Sequence, residues 1–186
     1  MKKKLLVLSI ALLGSLLGSH VIGQNNVTNN TLSLGMPELA LLSSPSGAVN
    51  LQLTTAIAGE AVKSSIRDSS SRVKISSVIP GSTTRKLSAS VSTVPSGTYL
   101  KLMVQPPSAS FGGTVATYGT DVTLSTSAAD IISGIGSCYS GTGALDGYVL
   151  RYTWGLDNPA ANYGLVRAVA GGITSVVVTL TLSAAN

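Results

Sequence analysis

The chain has 186 residues, of which 44% are hydrophobic and 10% charged, and its formal net charge is +5. It contains one cysteine and one histidine. A single cysteine excludes an internal disulfide framework, and the scarcity of imidazole and thiol groups leaves little for metal or triad chemistry.

The amino terminus predicts a secretory signal peptide over residues 1–23. Three lysines at positions 2–4 precede an apolar run at 5–17, and residues 21–23 are small or permissive enough for cleavage. The run is shorter than the roughly 20 residues that a membrane-spanning helix needs, so we expect no transmembrane span. Cleavage would remove His20. We therefore expect an exported chain, located in the periplasm, at the cell surface or outside the cell.

After the signal, a polar tract at residues 24–31 predicts a flexible leader. Apolar residues at every second position then predict strands, and frequent Gly, Pro and Ser predict turns between them. Two short helical turns are expected at Ala58–Ile66 and Ala128–Ile132. The predicted strands are Leu32–Leu42, Val49–Thr55, Arg72–Ile79, Lys86–Thr93, Thr98–Val104, Val115–Ser125, Tyr148–Trp154 and Ile173–Ser183. This pattern indicates an all-β domain over residues 32–186, an antiparallel Greek-key or immunoglobulin-like β-sandwich of about eight strands.

Motifs for catalysis are weak. Ser71 and Lys74 have the Ser-x-x-Lys spacing, but they lie in a strand-like run, whereas that chemistry depends on a helix. Gly134-Ile135-Gly136 lacks the later glycine of a phosphate-binding loop. The seven acidic residues are scattered along the chain. We expect no enzyme activity, no metal and no cofactor.

Basic residues concentrate between Lys63 and Lys86. They lack interleaved aromatic residues on which bases stack, so we expect no nucleic-acid partner. A solvated face of a sheet is favoured over the alternative, a patch that binds a polyanion or a membrane surface.

Cys138 lies in the small-residue stretch 136–141, which reads as a loop. The thiol is interpreted as a small buried hydrophobe. An exposed thiol that links two subunits is the alternative, and nucleophilic catalysis is disfavoured because no histidine would activate the sulfur.

Apolar and polar residues alternate near both ends of the mature chain. Near the carboxyl end, Val176, Val178, Leu180 and Leu182 share one face of a half-buried strand. Near the amino end, Leu32, Leu34 and Met36 occur at every second position after the polar tract. Such a strand either pairs within its own molecule as an ordinary first strand or adds to an open sheet edge on another molecule.

This layout resembles bacterial fimbrial subunits, including the spore-coat-U-like type. The resemblance covers the signal peptide, the Ser/Thr/Gly-rich β domain, the alternating amino-terminal extension and the final strand, without a specific motif. It implies a pilin-like surface protein that polymerises with itself or with other surface subunits and functions in a fimbrium or in adhesion. Residues 32–42 would be the donor strand, with Leu32, Leu34 and Met36 as donor positions, and 176–182 would be the acceptor edge strand. The chain departs from many such subunits in lacking a cysteine pair.

An aromatic group forms the remaining candidate site. Tyr148, Tyr152 and Trp154 share one face of a predicted strand, and Asp157 and Asn158 follow it. An exposed row of rings beside amide and carboxylate groups would suit a glycan, with Tyr152, Trp154, Asp157 and Asn158 as its ligand face. An aromatic core layer explains the same spacing, and we favour it. Two hypotheses follow: a structural surface subunit that assembles by strand donation, or a monomeric secreted binding module.

Overall fold

The computed structural model describes residues 28–44, 47–54, 57–107, 111–114, 117–168 and 174–185. The predicted signal peptide and residues 24–27 of the predicted leader lie outside these residues. The chain divides into two units, residues 1–35 and 36–186. In the first unit, residues 28–35 are exposed and belong to no helix or strand.

In its described residues, the second unit consists of β-strands and one short helix. The helix α1 (Pro159–Asn162) continues into a single 3-10 turn at Tyr163–Leu165. The strands are β1 (Leu39–Ser43), β2 (Ser65–Val78), β3 (Arg85–Val91), β4 (Thr98–Gln105), β5 (Gly112–Gly113), β6 (Val122–Thr123), β7 (Ala129–Ile135), β8 (Cys138–Tyr139), β9 (Tyr148–Leu156) and β10 (Val178–Ala184).

The described strands pair antiparallel in two sheets. The larger sheet has the order β5-β8-β2-β9-β4-β6, and β1 also pairs with β2. The smaller sheet has the order β10-β3-β7. Side chains from both sheets form one hydrophobic cluster, the arrangement of a β-sandwich. The all-β, antiparallel prediction is therefore confirmed, whereas the Greek-key or immunoglobulin-like connectivity stays a prediction.

The alternation of polar and apolar residues explains which side chains enter the core. In β4, Leu100, Leu102 and Val104 are buried while the residues between them are half-buried. The carboxyl half of β2 shows the same period of two, with Val73 and Ile75 inside. Each fully buried leucine of this kind contributes about 1.5–3 kcal/mol through removal from water.

Several predicted elements differ from the structure. Ala128–Ile132 is largely strand β7 and not a helical turn, because pairing with β3 outweighs the local helix signal. The predicted turn at Ala58–Ile66 ends in strand β2, which begins seven residues before the predicted strand at Arg72. Residues 49–54 form no strand, and Thr55 lies outside the described residues.

Two more predicted strands are shortened. In the predicted strand Val115–Ser125, residues 115–116 are not described, Thr117 makes an isolated bridge to Ser133, and the rest is strand only at β6. The predicted strand Ile173–Ser183 begins at Val178, and Ile173 is not described.

Candidate interaction surfaces

Strand β10 carries the residues that the sequence proposed as an acceptor edge. It pairs with β3 from Val178 opposite Val91 to Ala184 opposite Arg85, and none of the described strands pairs with its other edge. Val176 precedes the strand and packs against the hydrophobic cluster, and Ser92 holds the neighbouring Val177 through backbone and side-chain hydrogen bonds. Among the described strands, the smaller sheet thus ends in one whose second edge is unpaired.

The inward face of β10 is incompletely covered. Val178, Leu180 and Leu182 pack against the hydrophobic cluster but are only half-buried. Their register partners on β3, Val91, Ala89 and Leu87, are buried. Strand β1 of the larger sheet approaches β10 without pairing with it, and the three side chains stay half-buried beside the edge that no described strand pairs.

The proposed donor strand at residues 32–42 is divided in the structure. Its second part lies in β1, which pairs with β2 of the same molecule, with Leu39 opposite Val78 and Ser43 opposite Lys74. Its first part, residues 32–38, belongs to no strand, and Leu32, Leu34 and Met36 are 75%, 91% and 83% exposed. The ordinary first strand that the sequence offered as an alternative is thus confined to residues 39–43. We call residues 28–38 the amino-terminal arm.

Glu38, the last residue of the arm, forms an ion pair with Arg85 of β3. The side chain of Arg85 is 11% exposed and that of Glu38 is 55% exposed. Arg85 is the register partner of Ala184, the last residue of β10. Glu38 therefore anchors the base of the arm beside the carboxyl end of β10.

The aromatic residues of β9 do not form an exposed row. Tyr148 is fully buried, and Tyr152 and Trp154 are half-buried and pack against the core. Burial raises the pKa of Tyr152. The rings that were considered for stacking a glycan therefore contribute to the core.

Asp157 and Asn158 are exposed at the end of β9. They line a shallow cavity of about 390 Å³ together with Tyr99 and Lys101, and Tyr152 and Trp154 are not among its lining residues. Asn158 has a φ of 45°, a left-handed conformation that asparagine tolerates better than most residues. The structure separates the four predicted ligand residues into an inward pair of rings and an outward polar pair.

A second cavity was not found by sequence reasoning. Phe111 and Tyr118 each meet the ring of Tyr148 edge-on, with ring centroids 6.1 Å apart in both pairs. These rings, with Pro106 and Pro107, line a cavity of about 300 Å³. The only sequence signal was an aromatic residue between a proline pair and a glycine pair, and nothing in the sequence placed it against Tyr148.

Cys138 is not in a loop, and it is the register partner of Gly113, one of the residues that line this second cavity. It belongs to the short strand β8, is buried, and approaches the backbone of Gly113, which lines the cavity. Burial raises the pKa of its thiol. Burial also raises the pKa of Tyr148, with smaller contributions from Cys138 and Tyr118. The thiol is therefore protonated at neutral pH and shielded from partners.

The weak catalytic motif is not assembled. Ser71 is buried on the inner face of β2, whereas Lys74, three residues later, faces outward and donates a hydrogen bond from Nζ to the carbonyl of Thr142 at 2.8 Å. Across the described ranges, no group of three or more acidic, histidine or cysteine residues is placed to hold a metal ion.

Comparison with known proteins adds no relative. No protein-family model matches the chain, and neither the curated proteins nor the solved structures yielded a significant match. In the part of the chain that the structure describes, no helix has the length and hydrophobicity to cross a membrane.

Proposed function

We propose that this chain is an exported, non-enzymatic structural subunit of a cell-surface fibre or layer, and that copies assemble by β-strand donation. The amino-terminal arm of one copy adds as a strand to the free edge of β10 in the next. The resemblance to fimbrial subunits and the immunoglobulin-like connectivity belong to this proposal.

The observation that carries the proposal is the incomplete cover over Val178, Leu180 and Leu182 beside an unpaired edge. An exposed edge strand with an apolar face is a template for another strand, and proteins normally cover or charge such an edge. β10 has no charged residue between Val178 and Ala184.

The arm has the complementary pattern. Leu32, Leu34 and Met36 have the same spacing as Val178, Leu180 and Leu182, and side chains two residues apart in a strand repeat at about 6.6–6.8 Å. A strand formed by the arm would therefore place three apolar side chains on one face, opposite the uncovered positions. Burial of each is worth about 1.5–3 kcal/mol before the cost of ordering the arm.

The fixed base of the amino-terminal arm favours its donation to a neighbouring molecule over a segment that pairs with nothing. Glu38 holds the base of the arm at Arg85, and residues 39–43 are committed to pairing with β2. The apolar side chains of the arm, Leu32, Leu34 and Met36, stay exposed. An exposed, alternating segment of this kind is a liability unless another surface covers it.

The test uses residues 24–186, unfolded in urea and refolded at increasing protein concentration, so that arms can enter edges as the domains form. We expect a ladder of species by light scattering after size exclusion that reducing agent does not collapse. Replacing Leu32, Leu34 and Met36 by Ser removes the ladder. The matched control is Leu165→Ser, which removes an apolar side chain that is also more than half exposed but lies outside the arm.

The opposite results would reject strand donation. A ladder that persists in the triple-serine variant means that another surface drives assembly, and a ladder that collapses on reduction points to Cys138. A wild-type chain that refolds only to monomer at every concentration favours the alternative, a monomeric secreted binding module.

A further inference from the structure

We propose that the outer face of the larger sheet binds an acidic polysaccharide, a chain whose carboxylate or sulfate groups recur along its length. Five basic residues from three neighbouring strands define this surface, here called the basic face: Arg67, Arg72 and Lys74 of β2, Lys101 of β4 and Arg151 of β9. It differs from the basic stretch seen in the sequence, because β4 and β9 each contribute a member. It is separate from the arm and from β10 and does not rest on strand donation.

Strand register places the basic face on the side of the larger sheet that points away from the core. In β9 the even positions from 148 to 154 belong to the core or pack against it, so the odd positions, 151 included, point outward. Arg67 and Lys101 flank Thr153 as its register partners on β2 and β4, and Arg72 is the register partner of Val149. In β2, positions 73 and 75 are buried, so 72 and 74 point outward.

The basic face concentrates the positive charge of the mature chain. Three of the twelve lysines and arginines lie in the first 23 residues, and five of the remaining nine lie on this face. Among the described residues, Asp121 is the one carboxylate that pairs with a member, 3.3 Å from Arg151. No described carboxylate forms an ion pair with Arg67, Lys74 or Lys101. The face therefore carries a net positive charge that attracts an anionic partner.

Three of the cations are held in position by the protein. Nζ of Lys101 lies 4.9 Å from the centroid of the Tyr99 ring, a cation–π contact. Nζ of Lys74 donates a hydrogen bond to the carbonyl oxygen of Thr142 at 2.8 Å, and Arg151 is held by its ion pair. Side chains that are already restrained lose less conformational entropy when a ligand binds.

The spread of the charges favours a chain over a small anion. Arg67 and Lys101 lie two strands apart, which corresponds to about 9–10 Å across the sheet. The register positions of Arg67 and Arg72 are four β9 residues apart, which corresponds to about 13 Å along the strand. A small anion reaches one or two of these groups, whereas a polymer with repeated anionic groups reaches them in series.

The other side chains of this face favour a polysaccharide over a nucleic acid or a membrane. Among the described residues of the three strands, Tyr99 supplies the one outward-facing ring, and Lys101 lies over it, so unpaired bases find no free ring on which to stack. None of the exposed large hydrophobic side chains in the described ranges belongs to β2, β4 or β9. A membrane surface would lack the apolar side chains that insert between lipids.

The test titrates residues 24–186 with heparin, which carries sulfate groups, and with polygalacturonate, which carries carboxylates. Dextran is the neutral control, and oligothymidine and phosphatidylglycerol vesicles are the competing anionic surfaces. Binding is measured by biolayer interferometry at two salt concentrations. We expect at least one acidic polysaccharide to bind and dextran not to bind. Affinity should fall more than about tenfold between 50 and 200 mM salt, since binding releases counterions.

Paired substitutions locate the binding surface. Arg67→Gln with Lys101→Gln should weaken binding about 10- to 30-fold, since each basic residue near an anionic surface contributes about fivefold. The matched control is Arg167→Gln with Lys86→Gln, which removes the same charge outside the basic face. Each pair contains one exposed arginine and one half-buried lysine, so both variants should fold, as thermal melts check.

Three results would overturn the proposal. Neither acidic polysaccharide binds the wild-type chain. The two paired variants weaken binding equally, which means that net charge alone is responsible. Oligothymidine or the vesicles bind more tightly than both polysaccharides, which assigns the face to another class of partner.

Discussion

The ion pair between Glu38 and Arg85 should contribute measurably to stability, although most surface ion pairs do not. The perturbation is Glu38→Ala. The Arg85 side chain is 11% exposed and its Nε has no hydrogen-bond partner in the described ranges, so the guanidinium depends on Glu38 for charge compensation. Breaking a fully buried pair costs about 3–5 kcal/mol. Glu38 is itself 55% exposed, and water that enters reduces this cost, so we expect a loss of about 1–3 kcal/mol.

A neighbouring ion pair provides the control. Lys86, the next residue of β3, pairs with Asp130 of β7 at 3.2 Å, and both side chains are about a third to a half exposed. Asp130→Ala should therefore cost only about 0–1 kcal/mol. The free energies of unfolding are measured by urea denaturation of residues 24–186. In 1 M salt the small effect of Asp130→Ala should shrink further, whereas the effect of Glu38→Ala should largely persist.

The reasoning is refuted if Glu38→Ala and Asp130→Ala lower the free energy of unfolding equally. Equal losses would mean that the burial of Arg85 does not control the energy of the pair. They would also remove the basis for treating Glu38 as the anchor of the arm.

Three further outcomes test the core, the buried ionisable groups and a tight turn. Leu102→Ala should lower the free energy of unfolding by about 2–5 kcal/mol in urea titrations, because Leu102 is fully buried; a loss below about 1 kcal/mol would contradict the placement of the core. Burial raises the pKa of the Cys138 thiol above its ordinary value of 9.0 in the folded chain. Above pH 9.0 the unfolded chain therefore releases the thiol proton before the folded chain does, and the free energy of unfolding should decrease as the pH rises. Cys138→Ala should reduce the dependence of the free energy of unfolding on pH, measured in urea titrations from pH 7 to 10. An unchanged pH dependence would contradict the assignment to the Cys138 thiol. Gly147→Ala should lower the melting temperature more than Gly59→Ala. Both glycines have positive φ, but only at Gly147 would an added Cβ lie 2.6 Å from the carbonyl oxygen of Val73. Equal losses would show that backbone strain alone matters.

Regular alternation made part of the fold predictable from sequence. Strand β4 begins at the predicted residue and ends one residue later, because Leu100, Leu102 and Val104 alternate with more polar residues. Strand β7 escaped prediction because of a β-bulge. Its pairing with β3 shifts between Ile132 and Asp130, so Ile131 and Ile132 are both buried and the period of two is lost.

A second β-bulge explains why the sequence did not predict the first half of β2 as a strand. The register shifts between Asp68 and Ser71, where Asp68 accepts hydrogen bonds from the backbone and side chain of Ser70. Local hydrogen bonds of this kind make a Ser/Asp-rich stretch look like a turn in sequence. The strand forms because β9 pairs along it, which sequence patterns do not reveal.

The candidate sites could be predicted only where they depend on residues that are close together in the sequence. The alternation of Val178, Leu180 and Leu182 is visible in the sequence, but the free edge of β10 follows from long-range pairing with β3. The cavity lined by Phe111, Tyr118 and Tyr148 brings together rings that lie 37 and 30 positions before Tyr148 with Tyr148 itself, and the strand topology is what places them there.

Site-directed disulfide trapping tests strand donation most directly. One chain carries Leu34→Cys, a second carries Leu180→Cys, and both carry Cys138→Ser. The two chains are refolded together from urea and oxidised. Strand donation predicts a disulfide-linked heterodimer in high yield, and a low yield when Thr179→Cys on the exposed face of β10 replaces Leu180→Cys. Equal yields from the two positions, or no heterodimer from either, would contradict the proposed assembly.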